Sequence, residues 1–399
     1  MSKRQKLSFF HFEGLPNEII LKIFSLLDIK GVLQCGQVSK RLRDISNDQC
    51  LWSKLNLSGR EVPYDFIEKA IQNGCEYLDL TFSSVNGGKK AEETWKLKYL
   101  KISQSADEWD QCDLEVPEGV LQNCHFLQKL AVDNVVLYSE DVEHICQNGE
   151  TLRILSFVGC SIYWRIKTEL IHKLFTKCSR LSELHINKGV GGFFGGKIML
   201  DSHICALVDN LTPDILKLNL GSQSCVQDKH VDTLVRRCNK IRELNLSCTP
   251  ITNDSMESII ENLNSLEKLD VYLTKIDFST LIRLKLVPTL KMLRYYDRQK
   301  TEKENTENIK NLKLQLPHIS INEEEYLHIA GPSKKVNGFF DRDLIWEIRA
   351  KHQDLFPRVE RIRTRFKCFH CELSFVFKHN LKIHSEQHHA GLIIYKNYL

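Results

Sequence analysis

Apolar residues return along this chain in one six-residue figure, LxxLxL, in which leucine, isoleucine, valine, cysteine or an aromatic fills each marked position. It stands at Trp52-Leu55-Leu57, Cys75-Leu78-Leu80, Leu97-Leu100-Ile102, Leu127-Leu130-Val132, Leu152-Leu155-Phe157 and Leu181-Leu184-Ile186. It continues at Ile215-Leu218-Leu220, Ile241-Leu244-Leu246, Leu266-Leu269-Val271, Leu290-Leu293-Tyr295 and Leu316-Ile319-Ile321. These eleven copies start 22 to 34 residues apart, many of them 24 to 26. The alternation at the end of each copy predicts a short strand with one face inward. Between copies, KHVDTLVRRC at 229–238 and DSMESIIENL at 254–263 carry apolar residues at helical spacing.

One strand and one helix per period of this length is the signature of leucine-rich repeats. Such repeats stack, each strand pairing in parallel with its neighbours, so that a curved sheet lines a concave face. The expected fold is therefore α/β, a horseshoe over 59–330. Inside LxL the leucines point to the core, and the residues between and beside them face the concave side. Those positions include Lys217, Asn219, Glu243, Asn245, Lys268, Asp270, Tyr272, Arg294 and Tyr296. Tyr272, Arg294 and Tyr296 rank first, because tyrosine and arginine carry much of the energy at protein interfaces, and with Lys268 and Asp270 they make up the expected target-binding surface. Two stretches break the period: Asp107–Glu118, which is acidic, and Asn187–Leu200, which has glycines around Phe193-Phe194.

Ahead of the repeats, the pattern over 12–58 is helical. Pro16 suits a first helical turn, and Ile19, Ile20, Ile23, Phe24 and Leu27 form one apolar stripe behind it. Asp28 opens a second helix with Val32, Leu33 and Cys35, and a third carries Val38, Leu42 and Ile45. A unit of about 40 residues cannot bury this much apolar surface alone and needs a partner or the rest of the chain. The Leu15-Pro16 opening, Glu18, Ile23-Phe24, Val38-x-Lys40-Arg41 and Leu51-Trp52 resemble an F-box. That resemblance implies a three-helix domain docking on the Skp-type adaptor of a cullin ubiquitin ligase. The adaptor face would comprise Leu15, Pro16, Ile19, Ile20, Ile23, Phe24, Leu27, Val38 and Trp52.

At the other end, a linker over 331–365 leads to FKCFHCELSFVFKHNLKIHSEQHH at 366–389, followed by a tail at 390–399. Cys368-x-x-Cys371, then His384 and His388, has the spacing of a tetrahedral zinc site, with His389 an alternative fourth ligand. Phe375 and Leu381 fall where a ββα two-cysteine two-histidine finger keeps its small core. Four protein ligands leave no open position, so one structural Zn2+ per chain is expected. The base-reading helix positions would be Phe377, Asn380 and Ile383, of which only Asn380 can hydrogen-bond a base edge. Protein contact is the preferred reading; a nucleic-acid-binding or scaffold protein is the alternative.

Composition changes this picture little. A net charge of +4 over 399 residues does not by itself indicate nucleic acid, and no window approaches the apolar length of a membrane span. The basic start, residues 1–11, lacks the apolar core of a secretory signal, so a place in the nucleus or cytoplasm is expected. The fourteen cysteines should then be thiols or metal ligands. Cys124, Cys178 and Cys238 stand three residues ahead of a repeat's first leucine or isoleucine, as small buried residues would.

LPHISIN at 316–322, TLVRRC at 233–238, VPTLK at 287–291 and IWEI at 345–348 narrow the resemblance further. With the features above, they are similar to the S-phase-kinase-associated F-box protein family. That family delivers cyclin-dependent-kinase inhibitors for ubiquitination, which implies a non-catalytic receptor. It uses a Cks-type phosphate-reading subunit beside the last repeats, for targets that are phosphorylated. Here the chain departs from it beyond Ile348.

Overall fold

The computed structural model describes residues 14–322 except 88–93, 104–115, 118, 134, 163–165, 188–198 and 298, together with the backbone of 366–367 and 374–375. The chain opens with helices α1 (Asn17–Phe24), α2 (Ile29–Gly36) and α3 (Lys40–Ser46), and a single turn, α4 (Gln49–Trp52), that the pattern did not predict. Each start after the first is fixed by a side chain. Asp28 accepts from the Gly31 N–H, Ser39 from Leu42 and Asp48 from Cys50. Such caps satisfy backbone donors that have no partner inside the helix. The Arg41 guanidinium donates to the Leu15 carbonyl and the Asn17 side chain, tying α3 to the entry of α1.

Behind the helices runs one eleven-stranded sheet whose described pairings are all parallel and follow chain order. Its strands include Lys54–Asn56, Tyr77–Asp79, Tyr99–Ser103, Lys129–Asp133, Glu183–His185, Lys217–Asn219, Glu243–Asn245, Lys268–Asp270 and Met292–Arg294. The central leucines lie in register, with Leu218 opposite Leu244, Leu244 opposite Leu269 and Leu269 opposite Leu293. The last repeat needs a correction. The pattern aligned Ile319 with Leu293, but Ile321 pairs there, a slip of two residues that keeps the same face inward. Asn322 locks this register: its amide accepts from the Tyr295 N–H and donates to the Tyr295 carbonyl.

Several repeats leave the sheet by the same device. Asn219, Asn245 and Asp270 each accept, through Oδ1, the N–H two residues on. The chain then passes through a left-handed residue: Phe82, Gly159, Ser222, Cys248 and Leu273 have φ between 57° and 70°. Four of these five carry a side chain, so the turn holds a conformation that is costly for an L-residue. Asp79 likewise accepts the Thr81 N–H ahead of Phe82, so an Asx turn supplies the constraint at four of these five positions.

Helices such as Asp228–Arg237 and Asn253–Asn262 pack the convex side, and apolar residues between them and the sheet form one continuous core. The eleven described cysteines are free. Cys75, Cys124, Cys178 and Cys238 are buried, and burial pushes the Cys178 thiol up to about 12 and the Cys238 thiol to about 11. They are inert packing residues. Among the described residues, no helix is long and apolar enough to cross a membrane.

Candidate binding surfaces

The helical unit presents an apolar face to solvent. Val38 is 76% exposed, Leu26 71% and Ile19 45%, with Pro16 exposed beside half-buried Leu15, Ile23 and Leu27. These residues come from α1, the turn after it and the turn before α3. Exposed leucines and isoleucines gathered this way are the mark of a protein contact.

Three of the expected contact residues lie elsewhere. Ile20, Phe24 and Trp52 are at most 1% exposed and belong to the core. Trp52 donates its indole N–H to the Ser46 carbonyl at 2.7 Å, and its ring lies 6.0 Å from that of Phe66. Trp52 fastens the helical unit to the first repeat, while Ile20 and Phe24 are part of the core. Leu26 was missed because the stripe ran through Leu27, and a helix ending at Phe24 turns its neighbour outward.

At the far end of the sheet, Tyr272 and Tyr296 have ring centroids 5.4 Å apart. The Arg294 guanidinium lies over the Tyr272 ring at 4.3 Å and reaches Asp270 Oδ2 at 3.3 Å. Lys268 is 3.2 Å from Glu243. The concave candidates are thus assembled, with one correction. Asp270 is fully buried beneath Arg294, so it holds the guanidinium over the aromatic ring and cannot itself touch a target. Asn219 and Asn245 are buried on the same side, where close neighbouring strands cover short side chains.

Burial pushes the Asp270 carboxyl up to about 6, with Arg294 pulling the other way. A carboxyl that holds its proton more tightly folded than unfolded makes folding less favourable as pH rises from about 4 to 6. Asp270→Asn can still accept the Tyr272 N–H, as Asn245 does for Ser247, and cannot ionise. The stability of this variant relative to the parent should therefore improve by roughly 2–3 kcal/mol between pH 4 and pH 7. Urea unfolding at the two pH values measures it, and an unchanged difference would refute the burial argument.

A third cluster, Asp201, Cys205 and His230, brings three ligand types within 4.8 Å of one another. Its chemistry is structural. The Gln227 N–H donates to His230 Nδ1 at 3.0 Å, which leaves the neutral ring's proton on Nε2, 3.3 Å from Asp201 and 3.5 Å from the Cys205 thiol. Nε2 is then a donor and has no lone pair for a metal. The same nitrogen faces both neighbours, so this is no nucleophile–base–orienter series. Burial, followed by Asp201, raises the Cys205 thiol. His203 caps the preceding helix in the same way, accepting from the Leu200 N–H.

In the tail, Phe366–Lys367 pairs antiparallel with Ser374–Phe375, and the six residues between them contain Cys368 and Cys371. That is the ββ element a ββα finger requires, and two thiolates with two imidazoles suit zinc. Cys368, Cys371, His384 and His388 themselves lie outside the described residues.

Residues 65–353 match the SKP2 LRR domain, and residues 12–58 match the F-box-like domain. The chain belongs to the SKP2 leucine-rich-repeat family. A stretch of the chain is also similar to F-box only protein 15, with 31% identity to the Homo sapiens protein over 91 residues and 30% to the Bos taurus protein over 91. Those stretches cover 22% of this chain and 17% and 18% of the relatives. F-box protein dre-1 of Caenorhabditis elegans is 42% identical over 55 residues, 13% of this chain and 6% of that protein. The chain thus spans less than a fifth of the length of the curated relatives it matches. The SKP2-family match stops ahead of the Phe366–Phe375 hairpin, which the shared repeats do not include.

Proposed function

We propose that this chain is the substrate-recognition subunit of a Skp–cullin–F-box ubiquitin ligase. The observation that carries the reading is an F-box-like unit with Ile19, Leu26 and Val38 exposed, fused end-on to a sheet whose far end gathers Arg294, Tyr272 and Tyr296. The F-box face holds a Skp-type adaptor, and through it a cullin. The concave face holds a target polypeptide. No bond is made or broken by this chain; holding a target lysine near a charged conjugating enzyme raises their effective concentration, which is how a receptor accelerates transfer. A Cks-type subunit beside the last repeats would extend this surface to phosphorylated targets. Such a receptor works in the nucleus or cytoplasm.

The tail adds a structural zinc finger to this scheme, with Cys368, Cys371, His384 and His388 as ligands, and it serves as a further protein-contact element. A target-capture assay tests the placement of the concave site. Arg294→Ala with Tyr296→Ala should weaken capture by tenfold or more, roughly 1.4 kcal/mol, and leave adaptor binding unchanged. Ubiquitination that continues at the parent rate in that variant would mean the target sits elsewhere.

A further inference from the structure

Among the described residues, four helices begin with the same device: the third helical residue turns back and accepts the backbone N–H of the capping residue. That acceptor is Asp141 for Ser139–Cys146, His203 for Asp201–Asn210, His230 for Asp228–Arg237 and Glu304 for Glu302–Gln315. The N–H donors are Tyr138 at 2.9 Å, Leu200 at 3.4 Å, Gln227 at 3.0 Å and Thr301 at 2.8 Å. Glutamate or glutamine is the ordinary choice at this position. A carboxylate there stays ionised well below neutral pH, whereas an imidazole changes charge close to it.

The two histidines stand on consecutive repeats, and each ties its helix to the repeat before. Both rings are 2% exposed. His203 Nε2 lies 3.1 Å from the Ile166 carbonyl, just ahead of the helix Thr168–Lys177. A carbonyl only accepts, so Nε2 carries the proton and Nδ1 turns its lone pair to Leu200. His230 Nε2 faces Asp201 and Cys205 on the helix Asp201–Asn210. One imidazole thus joins Ile166 to that helix, and the next joins that helix to Asp228–Arg237. The three helices also pack on one another in chain order.

We infer that His203 and His230 form an acid-released clasp across three consecutive repeats. Protonation puts a hydrogen on Nδ1, where it meets the Leu200 or Gln227 N–H head-on. The cap is then lost and a buried donor is left without its partner. The new positive charge also stands at a helix N-terminus, the wrong end of the macrodipole. Burial holds both rings below the ordinary imidazole range. No charged side chain enters the shift of His203, whose partners are backbone groups. Around His230, Asp201 and Asp209 favour the charged ring, Lys229 opposes it, and burial outweighs them. Cys205 meets the same ring as a thiol that burial raises. A ring depressed in this way leaves stability intact above its unfolded value of about 6.5 and removes it as pH falls from there toward the folded value. Each unit of a repeat array is held only by its neighbours, so the loss stays local to this seam. The clasp stands independently of the adaptor and target readings.

The test is hydrogen exchange on the full chain at pH values of about 7.5 and about 5.5, corrected for the intrinsic rate of each amide. Protection in the first turns of Asp201–Asn210 and Asp228–Arg237 should fall several-fold, at most about tenfold, because about one pH unit lies below the unfolded value. The first turns of Ser139–Cys146 and Glu302–Gln315, capped by carboxylates, should change less than about twofold. His203→Gln should abolish the fall in the first helix and His230→Gln in the second, because glutamine accepts the same N–H and does not titrate. Should a glutamine variant lose its fold, ring titration in the parent, followed by NMR of the imidazole carbons, still decides. Both midpoints should lie below the ordinary 6.5. A midpoint at or above that value would overturn the clasp. So would unchanged protection at both histidine-capped helices, an equal fall at all four helix starts, or a fall that persists in the folded glutamine variants.

Discussion

Leu26→Asp combined with Val38→Asp should abolish retention of a Skp-type adaptor while leaving the chain folded. Both side chains are more than two-thirds exposed, so the substitutions should change stability by no more than about 0.5 kcal/mol each. At an interface centre the same changes bury two carboxylates against apolar surface. Central apolar contacts of this kind are worth about 2 kcal/mol or more apiece, so the pair should weaken binding by roughly a thousandfold. Phe24→Ala provides the contrast. Phe24 is in the core and should cost about 3–5 kcal/mol of stability, so any adaptor loss would come through unfolding of the helical unit. Co-purification with the adaptor, read beside a thermal transition for each variant, separates the two. Full retention by the Leu26 and Val38 variant would remove the F-box docking face from that surface.

The repeat was legible because its leucines do one job in each copy: a residue with a single burial requirement leaves a periodic trace. The register of the final strand was not legible. A two-residue slip keeps Ile319 and Ile321 on the same face, and only the Asn322 bridge to Tyr295 distinguishes the alternatives. The helical stripe placed the domain but could not divide its apolar residues between core and surface. Ile20 and Ile19 are neighbours on one helix, yet Ile20 is buried and Ile19 exposed, because α3 packs against only part of the stripe. On the concave face the reading found the side from strand alternation. It could not find that Asp270 lies under Arg294, since that depends on the length of one side chain relative to another in the next strand.

Cys368→Ser should strip the chain of zinc and leave the horseshoe untouched. The parent should take up one equivalent per chain with release of protons from the thiols, because the tail holds one set of four ligands at the required spacing. Binding free energy in such fingers is roughly 10–16 kcal/mol in isolated peptides, and without metal they are largely unfolded. The repeats have their own continuous core from Leu55 to Ile321, so their thermal transition should not move. Zinc content by atomic absorption, before and after a chelator, measures the first effect and calorimetry the second. His388→Ala beside His389→Ala identifies the fourth ligand, since only the true one should lower zinc occupancy. Adaptor retention should stay at the parent level in the Cys368 variant, while targets that contact the finger are lost. Loss of a salt-sensitive affinity for duplex DNA instead would move the finger to nucleic acid. A parent chain that takes up no zinc at all would end the metal-site reading.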